Sequence, residues 1–269
     1  MLSNLPIGIF DSGVGGLTVL RHIRKQMPSE SLIYVADRGH LPYGNKSDDF
    51  IRARAIAITE FLLSHPVKAI VVACNTATAA AVHTLRDRYD LPIIGMEPGV
   101  KPAIRLSKNG KIGILATAGT LGSGKFKVLL ERHADGSDLF IKPCHGWIEH
   151  IEAGNGPKSS TMAIVEETLA PLLAKGIDTL VLGCTHYPFL IEGIRQVAGE
   201  EIQIIDTGLA VTAQLRRRLT ESGLLSAASS QGDESFWCSG PLEEMRELLT
   251  RLWRQDAKPA ALPDQANRS

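Results

Sequence analysis

The chain has 269 residues, of which 44% are hydrophobic and 22% are charged, with 29 basic and 29 acidic side chains. These proportions are typical of globular proteins and exclude a disordered, collagen-like or disulfide-scaffold chain. The balanced charge gives no basic footprint, so no nucleic-acid partner is expected. No segment reaches the roughly 18 apolar residues of a membrane helix, and the start MLSNLPIGIFDSG lacks the regions of a secretory signal. We therefore expect a cytoplasmic protein without a membrane partner, whose four cysteines are thiols.

Short apolar runs rich in β-branched residues alternate with helical patterns along the chain. Continuous apolar runs are typical of strands buried on both faces, and their alternation with helices predicts an α/β fold with mainly parallel sheets. The predicted strands are Ile7–Phe10, Leu32–Ala36, Ala69–Ala73, Ile93–Met96, Ile112–Ala116, Leu139–Lys142, Thr179–Gly183 and Ile202–Asp206. The clearest helical patterns between them are Leu17–Met27, Ser47–Ser64, Thr76–Arg88 and Thr161–Lys175.

The last part of the chain has a different composition. Val211–Ser222 has the pattern of an amphipathic helix, and Ser226–Ser235 is a polar loop of small residues. Phe236–Ser239 is predicted to be a short strand and Leu242–Arg254 a helix. Residues 255–269 contain Pro, Asp, Gln, Asn and Ser, so we expect a frayed tail.

The chain also resembles two copies of one unit. The segment IGIFDSGVGG from Ile7 aligns with IGILATAGT from Ile112, 105 residues later. The segment KAIVVACNT from Lys68 aligns with DTLVLGCTH from Asp178, 110 residues later. Buried strands often look alike by chance, but here each copy has a cysteine at the same strand end.

This repeat predicts two pseudo-symmetric α/β lobes with mainly parallel sheets. The first lobe is discontinuous and comprises residues 1–98 and 211–269, and the second comprises residues 99–210. Ligands of such folds bind beyond the carboxyl ends of the strands. We therefore expect the active site in the cleft between the lobes.

Two cysteines lie where chemistry is expected. Cys74 stands between a strand and a helix start, where the positive end of the helix dipole stabilises a thiolate. The alternative is a small buried hydrophobic residue. Cys184 has the matching position in the second copy, and Thr185 and His186 after it supply a hydroxyl and a proton partner. A packed, hydrogen-bonded histidine is the alternative for His186 alone.

Other candidates are polar residues near strand ends. Asp11 and Ser12 begin a glycine-rich turn that matches neither a dinucleotide-binding fingerprint nor a P-loop, so a small-anion site and a plain turn both stay open. Glu149 and Glu152 lie near a helix start, where a solvated helix face is the alternative. The cysteines and histidines lack the paired spacing of zinc ligands, so no metal site is expected.

Six motifs together resemble the glutamate racemases of the cofactor-independent aspartate/glutamate racemase superfamily. They are DSGVGGL, ADRGHLPYGNKS, ACNTAT, GILATAGT, LGCTHYP and IDTG. The resemblance implies catalytic thiols at Cys74 and Cys184, helped by Asp11, His186 and Glu152. The substrate contacts that it implies are Asp11, Ser12, Tyr43, Gly44, Asn75, Thr76, Thr185 and His186.

The resemblance also implies the reaction. One thiolate removes the α-proton of glutamate and the opposite thiol returns a proton to the other face, with no cofactor and no metal. Cys74 would act on the D-enantiomer and Cys184 on the L-enantiomer, and D-glutamate would supply peptidoglycan. Glutamate is the expected partner, and a homodimer is considered. The alternatives are a racemase of aspartate or a related acid, a two-lobed amino-acid-binding module, and a thiol hydrolase with a covalent intermediate.

Overall fold

The computed structural model describes residues 2–133, 136–156, 159–253 and 257–267. The chain divides into two compact units. Unit 1 comprises Met1–Met96 and Gly208–Ser269, and unit 2 comprises Glu97–Thr207. Each unit contains its own sheet.

Within the described residues, ten strands form the two sheets. They are β1 (Ile7–Asp11), β2 (Leu32–Ala36), β3 (Ala69–Val72), β4 (Ile93–Ile94), β5 (Lys111–Ala116), β6 (Asp138–Pro143), β7 (Thr179–Leu182), β8 (Gln203–Ile205), β9 (Glu234–Cys238) and β10 (Pro259–Ala261).

The α-helices connect and cover these strands. They are α1 (Leu17–Gln26), α2 (Asp48–Ser64), α3 (Asn75–Arg88), α4 (Val100–Leu106), α5 (Ala118–Gly122), α6 (Gly124–His133), α7 (Trp147–Glu152), α8 (Ser159–Leu173), α9 (Ile191–Ala198), α10 (Gly208–Glu221), α11 (Leu242–Leu252) and α12 (Asp264–Asn267). No helix of the described residues is long and apolar enough to cross a membrane.

Unit 1 has a six-stranded sheet in the order β10-β9-β2-β1-β3-β4. All its strand pairs are parallel, which confirms the predicted α/β class. Every residue of β1, β2 and β3 is buried, as the continuous apolar runs predict. Phe10 pairs with both Val35 and Val72, so the carboxyl ends of these three strands lie side by side.

Unit 2 has a four-stranded parallel sheet in the order β6-β5-β7-β8. This order repeats that of β2-β1-β3-β4 in unit 1, so the sequence repeat corresponds to a repeated topology. Strand β7 has the place that β3 has in unit 1. The residues that follow β3 and β7 therefore occupy equivalent positions in the two sheets.

Helix α2 shows how a helix is fixed on the sheet of unit 1. Ser47 caps it by accepting a hydrogen bond from the backbone N–H of Phe50 at 3.2 Å. Its buried residues Ile51, Ala55 and Ile58 follow the helical spacing that places side chains on one face, and they belong to the core of the unit. Burying three such side chains contributes several kcal/mol, more than the cap does.

The expectation of a frayed tail is wrong for the described part of residues 255–269. Strand β10 pairs with β9, and the N–H of Leu262 donates to the carbonyl of Cys238 at 2.9 Å. Leu262 and Ala266 are buried in the core of unit 1. The sequence did not predict these elements, because a three-residue strand at a sheet edge and a four-residue helix are too short to show a periodic apolar pattern. Residues 255, 256, 268 and 269 lie outside the described residues.

Candidate active site

In unit 1 the turn after β1 is organised around the carboxylate of Asp11. Oδ1 of this buried residue accepts from the N–H of Ser12 at 2.6 Å, and Oδ2 accepts from the N–H of Gly16 at 2.5 Å. The hydroxyl of Ser12 also lies 3.3 Å from Oδ1. These hydrogen bonds satisfy the buried carboxylate and fix the turn at the carboxyl end of the sheet.

Gly16 is required by this turn. A Cβ atom at Gly16 would lie 2.9 Å from the Cβ of Asp11 and 2.9 Å from the hydroxyl of Tyr34. Tyr34 itself donates from its hydroxyl to the carbonyl of Gly13 at 2.7 Å. Gly16 therefore allows close packing between the turn and the ends of the strands.

Cys74 follows β3 and is the N-cap of α3, with its sulfur accepting from the N–H of Ala77 at 3.4 Å. The thiol is buried and lies 3.8 Å from the hydroxyl oxygen of Ser12. Since the Ser12 hydroxyl also reaches Asp11, a proton on Cys74 has a path through Ser12 to that carboxylate. The helix start stabilises negative charge on the sulfur. The strand and helix ends thus place this thiol where a base can act.

Asn75 and Thr76 form the first turn of α3. Both are buried, at 4% and 6% exposure. Neither polar atom of the Asn75 side chain has a hydrogen-bond partner among the described residues. Because an unpaired buried amide costs about 1–3 kcal/mol, this side chain fits a group that a ligand would bring.

Tyr43, a predicted substrate contact, uses its side-chain hydroxyl inside unit 1. Its side chain is buried, and its hydroxyl donates to Oδ2 of Asp37 at 2.5 Å. Burial first, and then the charge of Asp37, raise the pKa of Tyr43 well above its ordinary value. The hydroxyl is therefore used within unit 1, so any contact of Tyr43 with a substrate falls to its backbone. The neighbouring Gly44 is half-buried and lies in the same 3₁₀ turn, Tyr43–Asn45.

In unit 2 the matching thiol is Cys184, two residues beyond β7. Gly183 between them donates from its N–H to the carbonyl of Leu115 at 2.7 Å, and a Cβ there would lie 2.8 Å from that oxygen. The chain then turns sharply, with the N–H of Tyr187 donating to the carbonyl of Cys184 at 3.2 Å. Thr185 and His186 are buried within this turn.

His186 connects Cys184 to a carboxylate. Its Nδ1 lies 3.8 Å from the sulfur of Cys184, and its Nε2 lies 2.8 Å from Oε1 of Glu152. Both His186 and Glu152 are buried, and Glu152 is the last residue of α7. The ring of Trp147, at the start of α7, packs edge-on against Tyr187 with 4.9 Å between the ring centroids. This contact holds α7 against the turn that carries His186.

Of the two glutamates weighed from the sequence, the structure joins one to the turn after β7. Glu149 is exposed on the first turn of α7, whereas Glu152 reaches His186. Among the described residues, no group of three or more His, Cys, Asp or Glu side chains is placed to hold a metal ion.

Cys144 is a third buried thiol, directly after β6. Burial raises its pKa far above that of an ordinary thiol, and the nearby hydroxyl of Tyr187 only partly opposes this. Strands β6 and β7 lie on opposite sides of β5, two strand spacings or about 9–10 Å apart. Cys144 and Cys184, which follow these strands, are both free thiols. Cys144 is therefore a neutral thiol beside the turn.

Nine of the sequence-predicted residues thus form one group in each unit. Asp11, Ser12, Cys74, Asn75 and Thr76 lie together at the strand ends of unit 1, and Glu152, Cys184, Thr185 and His186 lie together in unit 2. Three buried residues that hold predicted residues in place were not predicted from the sequence: Asp37, Arg54 and Tyr187. Asp37 lies beside the PYG segment and Tyr187 within the CTHY segment, so both could have been noticed. Arg54 has no signal beyond a charge within an apolar helix face.

Comparison with known proteins identifies close relatives. Residues 11–215 match the family model described as Asp/Glu/Hydantoin racemase. The chain is 52% identical over 248 residues to a glutamate racemase of Methylococcus capsulatus, with 92% of each chain covered. Its structure is similar to that of a glutamate racemase isoform of Bacillus anthracis, with a TM-score of 0.89, 32% identity, and 97% and 98% of the two chains covered.

A further similar structure contains bound molecules. It is the glutamate racemase of Escherichia coli in complex with L-glutamate and the activator UDP-MurNAc-ala. The TM-score is 0.85 at 33% identity, with 96% of this chain and 97% of that chain covered.

Proposed function

This chain belongs to the Asp/Glu/hydantoin racemase family, and on that premise we propose that it interconverts L- and D-glutamate by cofactor-independent proton transfer at the α-carbon. One observation carries the proposal. Each unit has a buried thiol just beyond the equivalent strand, and each thiol has a polar link to a buried carboxylate. The close relatives named as glutamate racemases support the choice of substrate.

The chemistry explains why two thiols are needed. The α-proton of an amino acid is a weak acid, and racemisation removes it from one face of the α-carbon and returns a proton to the other. A single base fixed on one side of the α-carbon would return the proton to the face it came from. In our proposal one thiolate acts as the base while the other group, as a thiol, is the acid. Cys184 takes the proton of L-glutamate and Cys74 that of D-glutamate.

Negative charge grows on the substrate carboxylate as the α-proton leaves. Donors already in place for that charge stabilise the transition state more than the substrate itself. The buried amide of Asn75, which lacks a partner among the described residues, is the strongest candidate. The hydroxyls of Thr76 and Thr185, both buried next to a catalytic thiol, are assigned to the same task.

The helper residues act through the contacts with each thiol. Ser12 accepts from Cys74 and reaches Asp11, so this pair can pass a proton to and from the first thiol. His186 does the same for Cys184, and Glu152 orients its ring. Ser12, Asp11 and His186 are also proposed to contact the substrate, as are the backbones of Tyr43 and Gly44. We extend the proposal to the supply of D-glutamate for peptidoglycan by a cytoplasmic homodimer.

The test uses pure protein dialysed against a chelator, with no pyridoxal phosphate added. The optical rotation of L-glutamate should decay to zero, and the same assay with L-aspartate measures specificity. In deuterated water, early D-product should carry α-deuterium while the remaining L-substrate carries much less. Equal early labelling of substrate and product would point to one base, and loss of activity restored by a metal would contradict the cofactor-independent mechanism.

Cysteine variants complete this test. Cys74→Ala and Cys184→Ala should each abolish racemisation in both directions, because each direction needs one base and one acid. Cys144→Ala is the matched control, since it removes a buried thiol from the same sheet as Cys184. A Cys184→Ala enzyme that still racemises near the parent rate would overturn the two-base mechanism. Affinity for glutamate without turnover in the parent protein would favour the binding module, and a covalent adduct in its mass spectrum would favour the hydrolase.

A further inference from the structure

A buried arginine of unit 1 has no part in the proposed reaction. Arg54 is fully buried on α2. Its Nε donates to Oδ2 of Asp37 at 2.9 Å, and its Nη2 donates to Oδ1 of the same carboxylate at 2.7 Å. This two-pronged ion pair fixes the carboxylate in orientation as well as position.

Asp37 also fixes the 3₁₀ turn that contains Tyr43. Its Oδ2 accepts from the Tyr43 hydroxyl at 2.5 Å, and its Oδ1 lies 3.1 Å from Nδ1 of His40. Burial alone would raise the pKa of Asp37, but Arg54, Tyr43 and Ser239 outweigh it and hold that pKa below its ordinary value. The carboxylate is thus ionised and shared between Arg54 and Tyr43.

Arg54 has a third contact, with the C-terminal segment (Pro259–Asn267). Its Nη1 donates to the carbonyl of Ala266 at 2.8 Å. Leu262 and Ala266 are buried in the same core cluster as Tyr43, and β10 joins the segment to the sheet. Because a buried guanidinium loses stability when it loses an acceptor, the C-terminal segment helps to fix the geometry of Arg54.

We propose that Arg54 and the C-terminal segment are positioning elements that hold the 3₁₀ turn Tyr43–Asn45 in place for substrate binding. They act through Asp37, which fixes the ring of Tyr43 inside the core and leaves the backbone of Tyr43 and Gly44 to meet the ligand. The inference rests on the proposed function in one respect, that this turn contacts glutamate. Arg54 is a positioning residue and touches no reacting atom.

The test compares Arg54→Lys with a matched control, Arg24→Lys. Arg24 is also an arginine of unit 1 that combines an ion pair with a carbonyl contact, donating to Glu234 at 2.6 Å and to the carbonyl of Pro28 at 2.7 Å. Lysine keeps the charge at both positions and removes the fork. A third variant, in which the chain stops after Pro263, removes the Ala266 acceptor and keeps β10. Thermal unfolding shows that each variant is folded at the assay temperature.

Two readouts separate positioning from general stability. Arg54→Lys and the shortened chain should raise KM about tenfold for both enantiomers, with a smaller effect on kcat, whereas Arg24→Lys should stay within about twofold of the parent. Hydrogen exchange of the backbone amides in residues 43–47 should become faster in Arg54→Lys and in the shortened chain, and should stay unchanged in Arg24→Lys. Tyr43→Phe, which keeps the ring, should shift both readouts in the same direction as Arg54→Lys.

The outcomes are distinct. If Arg54→Lys and Arg24→Lys lose equal stability and show equal KM and equal exchange in residues 43–47, the positioning role is wrong. If the parent protein does not racemise glutamate, the proposed function fails, while the exchange data still decide whether Arg54 and the C-terminal segment hold the turn. Faster exchange with an unchanged KM would show that the turn is held but does not bind the substrate, and would also overturn the inference.

Discussion

The Glu152–His186 contact allows a quantitative prediction. Glu152→Gln keeps the size of the side chain and an oxygen that can accept the hydrogen bond, but removes its negative charge. The contact is 2.8 Å long and both residues are buried, so the charge is poorly screened. A hydrogen bond to a charged group contributes about 1.5–3 kcal/mol. Since about 1.4 kcal/mol is a tenfold change in rate, we expect kcat/KM to fall about 10- to 100-fold.

The symmetry of the reaction provides two further measurements that test this prediction. L- and D-glutamate have equal free energy in water, so kcat/KM must fall by the same factor in both directions. The primary isotope effect need not be symmetric. If His186 serves Cys184, proton transfer at that thiol becomes more rate-limiting, and α-deuterated L-glutamate should show the larger increase. Polarimetry in both directions, with protonated and deuterated substrates, measures these quantities.

Glu149→Gln is the control, because Glu149 lies on the same helix and is exposed. It should leave kcat/KM within about twofold of the parent, as expected of a change at an exposed side chain. Thermal unfolding of both variants identifies any loss from misfolding. A folded Glu152→Gln enzyme with kcat/KM near that of the parent would refute the role given to Glu152, and equal losses in the two variants would refute its assignment to the site.

Two further predictions concern groups outside the reaction. Hydrogen bonds from Ser107, Asn109 and Thr179 outweigh burial and lower the pKa of Asp178, so its stabilising effect is present at neutral pH and is lost as the pH falls below about 4. Asp178→Asn should therefore lower the unfolding temperature by more at pH 7 than at pH 3, and a constant difference between these pH values would contradict this assignment. The raised pKa of buried Cys144 predicts slow alkylation by iodoacetamide at pH 8 in the native protein and fast alkylation after denaturation, measured by peptide mass spectrometry. Equally fast labelling in both states would show that the thiol is ionised or accessible in the native fold.

Much of the fold could be predicted because its signal is local. Strands β1, β2 and β3 are buried on every residue, and a continuous apolar run of that length between helical patterns is typical of a strand covered on both faces. Position in the chain also indicated the cysteine pair, since Cys74 and Cys184 follow equivalent strands. The C-terminal segment was missed because its stability comes from partners far away in sequence, such as the pairing of Ala261 with Cys238.

The same distinction between local signals and contacts distant in sequence applies to the residues of the candidate site. Residues at strand ends, such as Asp11 and His186, could be predicted because parallel strands bring their carboxyl ends to one edge. Supporting residues could not be. Arg54 lies 17 positions from Asp37 on a helix whose apolar face gives no reason to expect a buried ion pair. The direction of a side chain is also not encoded locally: the PYG segment indicates a ligand-binding turn, but the Tyr43 hydroxyl is bonded to Asp37.

The two thiols have equivalent places in the fold, but their proton links differ in chemistry. Cys74 is linked through the Ser12 hydroxyl to Asp11, whose oxygens already accept from two backbone N–H groups. A hydroxyl passes a proton on but does not retain one. Cys184 is linked to an imidazole, which can hold a proton between turnovers while Glu152 balances its charge. In the proposed two-base reaction, each turnover would leave one thiol with a proton gained and the other with a proton lost. The imidazole beside Cys184 would then hold the extra proton, and the Ser12 hydroxyl would relay a proton at Cys74. The repeat thus supplies two similar positions, and the residues beside them differ in acid–base chemistry.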